Sequence, residues 1–201
     1  NSDIWSLGCM FFYIMTNGLV EIRSEQGQKL ISARINSITD NSNSKVILLK
    51  DLLHKILKFD PNERLSTADI KSHPFFWSAN DFKEFIIDTA IMIENNEINS
   101  QLFKNQRKVI GESWTENIEV LVIEELEKIR KTFNKKGKGG KGDEIRGSSI
   151  VSLIKIIRNI YVHSQSEILR TILGDTNEKL MNYWNSKFPF LISHLYNAKL
   201  N

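Results

Sequence analysis

The sequence predicts an all-α protein, and two observations lead to that prediction. Apolar residues recur every three or four positions along most of the chain, which is the spacing of one helix face. The breaks between these patterns fall at Gly, at Pro and in stretches rich in Asn and Asp, all of which end helices. With 201 residues, 41% of them hydrophobic, the chain is long enough to bury a core in one or two domains.

The first predicted helix, Ser2–Met15, is apolar on nearly every side. A helix of that kind is expected to be buried, and Gly18 marks its end. Residues 39–44 then form a polar loop, and a second helix with six regularly spaced Val, Leu and Ile positions is predicted over residues 45–59.

A short helix with clear boundary signals follows. Pro61, directly after Asp60, ends the preceding helix, and Ser66 is placed to cap a helix over Thr67–Ser72. The residue before a proline disfavours helical geometry, so this helix is expected to stop at His73.

Beyond Trp77 the chain continues into new helices without a flexible linker. A helix is predicted over residues 81–95. Because no linker precedes it, we expect the two parts of the chain to pack rigidly together. Residues 111–117 form a predicted turn, which leads into an amphipathic helix over residues 118–133.

Residues 134–143 form a low-complexity loop of glycine and lysine, which is expected to be mobile. One interpretation is a solvated insertion, and the other is a basic arm that approaches RNA phosphates. A nucleotide-phosphate loop is a poor alternative, because no Gly-Lys-Ser/Thr follows a predicted strand.

The strongest helical pattern spans Ile150–His163. Its predicted apolar stripe consists of Ile150, Leu153, Ile154, Ile157 and Ile160. The predicted opposite face carries Ser152, Lys155, Asn159 and His163. Asn159 and His163 lie one turn apart, with Arg158 on the flank, so a cation, an amide and an imidazole come together.

This trio suits a phosphodiester. Arg binds phosphate through two parallel hydrogen bonds, Asn holds an oxygen or hydroxyl, and His moves a proton near neutral pH. Taken from this helix alone, the ordinary interpretation is that the three side chains form its solvated face. Three further helices are predicted, over Glu167–Leu173, residues 178–185 and residues 188–196.

Composition and charge narrow the function classes. The net charge of +3 is mild, although basic residues cluster at positions 130–141. Cys9 is the single cysteine, which excludes an internal disulfide and fits a reducing compartment.

No Cys/His spacing suggests zinc, and no carboxylate pair suggests a two-metal nuclease. No apolar run approaches the roughly 20 residues of a membrane span, so no membrane contact is expected. The remaining histidines, His54, His73 and His194, are interpreted as core or surface residues rather than catalysts.

Two motifs resemble the end of a protein kinase domain. One is Asp3-Ile-Trp-Ser-Leu-Gly8, and the other is residues 60–68 followed by His73-Pro-Phe-Phe76. The resemblance implies scaffolding roles for Asp3 and Arg64. The glycine-rich loop, H-R-D and D-F-G motifs are absent, so ATP and Mg²⁺ are expected only for a kinase portion outside these residues.

The order of the later blocks resembles the kinase-extension nuclease family, which includes the unfolded-protein-response sensor kinase/ribonucleases and RNase L. These blocks are Trp114-Thr-Glu-Asn-Ile118, Arg158-Asn159 with His163, and residues 187–196. The resemblance covers essentially the whole chain and is closer to the stress-sensor branch. It implies the end of a kinase C-lobe at residues 1–76, packed against an all-helical ribonuclease extension at residues 77–201.

The resemblance also implies a reaction and partners. Arg158 and Asn159 would bind the scissile phosphate and fix the ribose, and His163 would be the general acid. Cleavage would need no cofactor or metal and would leave a cyclic phosphate. The implied partners are RNA, a second copy of the protein, and the upstream kinase N-lobe and sensor domain of a longer parent. The implied location is the cytoplasmic side, with anchoring of the parent in the endoplasmic reticulum membrane left open.

The residues expected to contact RNA phosphates lie on the predicted helix Ile150–His163 and around the glycine-lysine loop. They are Lys155, Lys135, Lys136, Lys138 and Lys141.

One position departs from the family pattern. The family places a tyrosine before the helix that corresponds to Ile150–His163, but this chain has Ile145 there, or Phe133 if the loop is an insertion. Tyr161 is close in sequence but falls near the apolar side of the helix. Loss of an acid-base group costs a factor of about 10² to 10⁴ in rate, so weak activity is expected unless another group substitutes.

Three hypotheses follow. The first is an endoribonuclease fused to a kinase and active as a dimer. The second is a degenerate extension that binds RNA or mediates dimerisation without cleavage, which the missing tyrosine favours. The third, a kinase end with an inert helical tail, is weakened by the presence of Arg158, Asn159 and His163.

Overall fold

The fold confirms the all-α prediction. A computed structural model of the chain describes residues 2–18, 27–38, 40–97, 105–135, 145–163 and 166–200. Within those ranges the chain forms eleven α-helices and three short 3-10 turns, and no strand. It divides into two compact units, Asn1–Trp77 and Ser78–Asn201.

The first unit contains four helices around a small apolar core. Their bounds are α1 Ser2–Met15, α2 Gly27–Asn36, α3 Ser44–Ile56 and α4 Thr67–Ser72. The core is drawn from all four helices and consists of Phe12, Ile31, Ile35, Leu49, Leu52, Leu53, Ile56, Leu57 and Ile70.

Side-chain caps determine where the helices of this unit begin and end. Ser66 accepts a hydrogen bond from the backbone of Asp69, and the Asp69 carboxylate accepts one from Ser66, so α4 begins with a capping box. It ends at His73, whose extended backbone precedes Pro74, as predicted. Asn43 caps α3, which stops at Ile56, earlier than the predicted residue 59.

Helix α1 has the predicted bounds but not the predicted burial. Only Gly8 and Phe12 of this helix are buried. Met10, Tyr13 and Ile14 are exposed, so the prediction of a helix buried all round is wrong. Helix α1 packs against α3. Several of its other apolar side chains are only partly buried against the core, namely Ile4, Trp5, Cys9, Phe11 and Met15.

The second unit contains seven helices. Their bounds are α5 Ala79–Glu94, α6 Gln106–Ile110, α7 Val120–Lys135, α8 Ile150–His163, α9 Glu167–Leu173, α10 Asn177–Lys187 and α11 Leu191–Leu200. Helices α8 and α9 have the predicted bounds. Helix α7 is shifted two residues towards the C-terminus of its predicted range 118–133, because Trp114–Asn117 forms a 3-10 turn before it.

The core of the second unit is built on the packing of α5 against α8, and α10 also packs against α5. Two tryptophans, Trp114 and Trp184, are fully buried in this unit. Ser78 and Asp81 form a second capping box, which starts α5 directly after the first unit ends. Gly174, with a positive φ of 102°, ends α9 in a conformation that favours glycine.

None of the described helices is long and apolar enough to cross a bilayer.

Candidate active site

Helix α8 carries the predicted site residues, and its apolar stripe anchors it. Each of the five stripe residues is buried, as predicted. The stripe packs mainly against α5, whose buried side chains include Phe82, Phe85 and Ile86. Burial of several branched side chains, each contributing about 1.5–3 kcal/mol, holds the helix in one orientation about its axis.

The start of α8 is held by groups from earlier in the chain. The indole Nε1 of Trp114 donates to the carbonyl oxygen of Arg146 at 2.9 Å, and the backbone N of Trp114 donates to that of Gly147 at 2.9 Å. The side chain of Gln106 accepts from the backbone N of Ile150 at 3.3 Å. Because the first N–H groups of a helix lack internal partners, the Gln106 contact acts as a cap from a distant segment.

This close approach depends on Gly147. A Cβ added to Gly147 would lie 1.9 Å from the Oγ of Ser113 and 3.1 Å from its Cβ. The absence of a side chain therefore lets residues 146–147 lie directly against the segment that begins with Ser113.

Ser152 is not on the solvated face, and that part of the prediction is wrong. The side chain is buried, and its Oγ accepts a hydrogen bond from the backbone N of Arg146 at 3.1 Å. The segment before α8 folds back over Ser152, so tertiary structure buries a position that helical periodicity alone assigns to solvent.

Arg158 is held by a residue that sequence reasoning missed. Its Nη2 donates to the Oε1 of Glu94, the last residue of α5, in an ion pair. The Nε of Arg158 is buried and has no hydrogen-bond partner within the described residues. The Arg158 side chain is 21% exposed and that of Glu94 40% exposed, so this pair lies at the edge of the α5–α8 contact.

Glu94 and Arg158 are 64 positions apart in sequence. A Glu at the end of an amphipathic helix is ordinarily solvated, and no spacing rule connects it to a distant helix. The sequence therefore contains no local signal for this contact.

The other two members of the trio lie where helical geometry puts them. Asn159 is half-buried, and His163, the last residue of α8, is exposed. They are four residues apart, so the two side chains project from the same side of the helix. One helix thus brings Arg158, Asn159 and His163 to neighbouring surface positions.

The predicted RNA-binding lysines divide into two groups. Lys155 is half-buried on α8, one turn before Asn159. Lys135 is the last residue of α7, and its side chain lies outside the described part of the structure. The other three, Lys136, Lys138 and Lys141, lie outside the described residues altogether.

The structure describes the side chains at some, but not all, of the positions considered for the family tyrosine. Ile145 is half-buried shortly before α8, whereas Phe133 belongs to α7 and its side chain lies outside the described part. Tyr161 has its ring 6.3 Å from that of Phe82, on the side of α8 that faces α5. Its hydroxyl is buried without a partner among the described residues, and burial raises the pKa of Tyr161.

A second polar cluster ties the start of α7 to α10. The carboxylate of Glu119 accepts hydrogen bonds from the Nζ of Lys187 at 2.7 Å and from the hydroxyl of Tyr183. Burial alone raises the pKa of Glu119, but the bonds from Lys187 and Tyr183 outweigh it and lower that pKa. These bonds hold the segment that leads into α7 against α10.

Two of the histidines not expected to be catalytic make side-chain contacts within the first unit. His73 is fully buried, and its Nε2 lies 3.0 Å from the Oδ2 of Asp51. The Nε2 of His54 lies 2.9 Å from the Oδ1 of Asn36, and burial lowers the pKa of His54. Among the described residues, no group of three or more His, Cys, Asp or Glu side chains is arranged to hold a metal ion.

These features define a class of protein in which a helical domain, with Arg, Asn and His on one helix, follows the final helices of a kinase-like unit. The profile of the family described as Ribonuclease 2-5A matches residues 84–200, and that of the Protein kinase domain matches residues 1–76. The chain therefore belongs to the Ribonuclease 2-5A family, with the end of a protein kinase domain preceding it.

Similar proteins combine the same two parts. The chain is 28% identical over 206 residues to the "sensor for unfolded proteins in the ER ire1" of Schizosaccharomyces pombe, covering 97% of this chain and 18% of that protein. It is 29% identical over 206 residues to the serine/threonine-protein kinase/endoribonuclease ire-1 of Caenorhabditis elegans, covering 98% and 20%. The human serine/threonine-protein kinase/endoribonuclease IRE2 is 24% identical over 206 residues, covering 98% and 21%. The chain spans about a fifth of these relatives.

Proposed function

We propose that the protein containing this chain is a Ser/Thr protein kinase/endoribonuclease, and that residues 77–201 cleave RNA without a metal ion. The observation that carries the proposal is the placement of Arg158, Asn159 and His163 within six consecutive residues of one well-anchored helix. Two relatives are named kinase/endoribonucleases, and they align with nearly the whole of this chain.

The proposed reaction is an internal transesterification. The ribose 2′-oxygen attacks the adjacent phosphorus, the bond from phosphorus to the 5′-oxygen breaks, and a 2′,3′-cyclic phosphate remains. His163, in its protonated form, donates its proton to the departing 5′-oxygen, while the 2′-hydroxyl proton passes to a base or to solvent. No oxidant or cofactor is needed to balance this step.

Arg158 and Asn159 supply the other two functions. As the phosphorus gains a fifth oxygen neighbour, negative charge grows on its non-bridging oxygens, and the guanidinium of Arg158 stabilises that charge. Asn159 can accept from a ribose hydroxyl and donate to a phosphate oxygen, which fixes the sugar for in-line attack.

RNA binding outside the reacting atoms is assigned to basic residues. Lys155 lies one turn before Asn159, and Lys135, Lys136, Lys138 and Lys141 precede α8 in the chain. Each phosphate contact releases condensed counterions, so RNA affinity is expected to fall as salt rises. We further propose that the active form is a homodimer assembled through the kinase domain.

The cellular role follows from the same resemblance. We propose that the protein acts in RNA processing during the unfolded protein response, with these residues on the cytoplasmic side of a parent protein in the endoplasmic reticulum. The Schizosaccharomyces pombe relative is named as a sensor for unfolded proteins in that compartment.

The test is cleavage of an end-labelled RNA stem-loop by the longer, kinase-containing protein in excess chelator. We expect the wild type to cleave and His163→Ala to lose at least about 10²-fold in rate, because the leaving oxygen then departs without a proton donor. The product ends should be cyclic phosphates, which resist a phosphatase that acts only on monoesters. Phe133→Tyr should raise the rate if that position corresponds to the family tyrosine.

The matched control is His194→Ala, because His194 lies in the same unit on α11 and is not part of the trio. It should cleave like the wild type. Equal cleavage by wild type and His163→Ala, or cleavage that chelator abolishes, would contradict the proposal.

A second candidate function is RNA binding or kinase dimerisation without cleavage. Two observations favour it: Ile145 has no hydroxyl to offer at the family tyrosine position, and Arg158 is already paired with Glu94. It predicts salt-sensitive RNA binding by fluorescence anisotropy, with no cleavage by a protein confirmed to be dimeric by sedimentation.

A further inference from the structure

We propose that Glu94 is a positioning residue for Arg158, so that this carboxylate sets the orientation in which the guanidinium meets the scissile phosphate. The inference rests on the proposed ribonuclease function and adds to it a residue on a different helix. It starts from the ion pair between the Oε1 of Glu94 and the Nη2 of Arg158.

The backbone of Glu94 is firmly placed relative to α8. Helix α5 packs along α8, and the ring of Phe82 contacts that of Tyr161. Phe82, Phe85, Ile86 and Ala90 of α5 are all buried. The helix ends at Glu94, and the backbone N of the next residue, Asn95, caps it by donating to the carbonyl oxygens of Ile91 and Ile93. Glu94 therefore reaches Arg158 from a regular helical turn, and this limits where its carboxylate can be.

Glu94 is the polar partner that orients the guanidinium. An Arg side chain has five N–H donors in a rigid planar fork, so one bond at Nη2 together with the buried stem restricts where the other donors point. The Nε of Arg158 is buried and unpaired within the described residues. Without Glu94, no hydrogen bond from the described residues would direct the plane of the fork.

The pair is expected to matter more for geometry than for stability. An ion pair with both side chains partly exposed contributes little to folding, because solvent screens the charges. A misplacement of a reacting or stabilising group by about 1 Å, by contrast, can cost about 10²-fold in rate. Loss of Glu94 should therefore affect turnover while the protein remains folded.

Two other roles for Glu94 make different predictions. If the carboxylate competed with the phosphate for Arg158, its removal would lower KM and leave kcat unchanged or higher. If the pair were only structural, its removal would lower the melting temperature and leave kcat unchanged. A positioning role predicts a lower kcat with a nearly unchanged KM.

The experiment compares Glu94→Ala and Glu94→Gln in the longer, kinase-containing protein, using the RNA stem-loop in excess chelator. We expect Glu94→Ala to lower kcat about 10-fold to 100-fold with KM within about twofold. Glu94→Gln should retain more activity than Glu94→Ala, because its amide oxygen can accept the same hydrogen bond. Glu84→Ala, at an exposed position on α5, is the matched control and should be unchanged.

A double variant tests whether Glu94 acts through Arg158. Arg158→Ala combined with Glu94→Ala should cleave no more slowly than Arg158→Ala alone, measured in single-turnover reactions. Additive losses, an unchanged kcat in Glu94→Ala, or a lower KM in that variant would each overturn the positioning role while leaving the ribonuclease intact. No cleavage by the wild type would overturn the proposed function, and the positioning role with it.

Discussion

Helices α1 and α8 have the same length, 14 residues, but the protein uses them differently. Both have the bounds that their sequences predict. Seven residues of α8 are buried, whereas in α1 only Gly8 and Phe12 are buried. The more uniformly apolar helix is thus the less buried one.

The difference shows that helix formation and helix burial have separate causes. Local signals, such as the glycine after α1 and the helical spacing of Ile and Leu in α8, establish where each helix runs. Burial depends on how many neighbouring elements cover the helix. Helix α8 has a broad stripe that matches α5, while α1 is apolar on several sides and one face of it meets α3.

The largest expected effect is the difference between two Ile→Ala substitutions, one in α8 and one in α1. Ile157→Ala in α8 removes a fully buried side chain and should lower the free energy of unfolding by about 2–5 kcal/mol. Ile14→Ala in α1, where the side chain is 63% exposed, should change it by less than about 0.5 kcal/mol. Hydrogen exchange followed by mass spectrometry reports the two units separately. Similar losses in both variants would remove the distinction between the helices.

The next effect concerns the anchoring of α8 at its start. In Gly147→Ala the new Cβ would lie 1.9 Å from the Oγ of Ser113, so the segment must shift. We expect a loss of about 2–3 kcal/mol of unfolding free energy, because overpacking adds to weakened Trp114 hydrogen bonds. Thermal denaturation followed by tryptophan fluorescence measures it.

The rescue variant for this position combines Gly147→Ala with Ser113→Gly, which removes the two closest atoms of Ser113. Most of the lost stability should return. If Gly147→Ala alone melts like the wild type, the close approach before α8 is not required.

Helix α1 has one glycine at which an added side chain should be destabilising. A Cβ at Gly8 would lie 2.8 Å from the Cδ2 of Leu57, and that is closer than packed carbons approach. Replacement of Gly by Ala inside a helix gains about 1 kcal/mol, so we expect a net loss of about 1 kcal/mol for Gly8→Ala. Chemical denaturation followed by circular dichroism checks this. Ser6→Ala, at an exposed position of the same helix, should show no comparable loss.

The smallest effect is expected at Tyr161 on α8. Its hydroxyl is buried without a hydrogen-bond partner in the described part of the chain, so Tyr161→Phe removes an unpaired polar group. The free energy of unfolding should change by less than about 0.5 kcal/mol or increase slightly. RNA cleavage should be unchanged, because this hydroxyl is buried whereas His163 is exposed. A clear loss of cleavage would instead identify Tyr161 as the replacement for the family tyrosine.

Much of the second unit could be predicted because its signals are local. The spacing of Ile150, Leu153, Ile154, Ile157 and Ile160 is sufficient to define the buried face of α8, and the end of α9 follows from Gly174. The predicted trio of Arg158, Asn159 and His163 also follows from helical geometry, which needs no tertiary contact. The catalytic roles of these three residues stay predictions.

The contacts around the site could not be predicted in this way. Ser152 has the periodicity of a solvated position but is covered by the segment that contains Arg146. Glu94 lies on another helix, and nothing in the intervening sequence links it to Arg158. Both contacts depend on how the segments of this unit pack together in three dimensions, and helical periodicity does not report that.

By itself, the sequence determined where most of the longer helices lie, which face of α8 is apolar, and that a cation, an amide and an imidazole share that helix. It did not predict α2 or α6. Periodicity and capping act over a few residues, so they can be read without knowing the fold. Only the tertiary structure decided that α1 is half open, that Gln106 and Trp114 hold the start of α8, and that Glu94 meets Arg158. The physical reason is that burial and ion pairing depend on which groups are close in space. Residues far apart in sequence come close only when the helices pack.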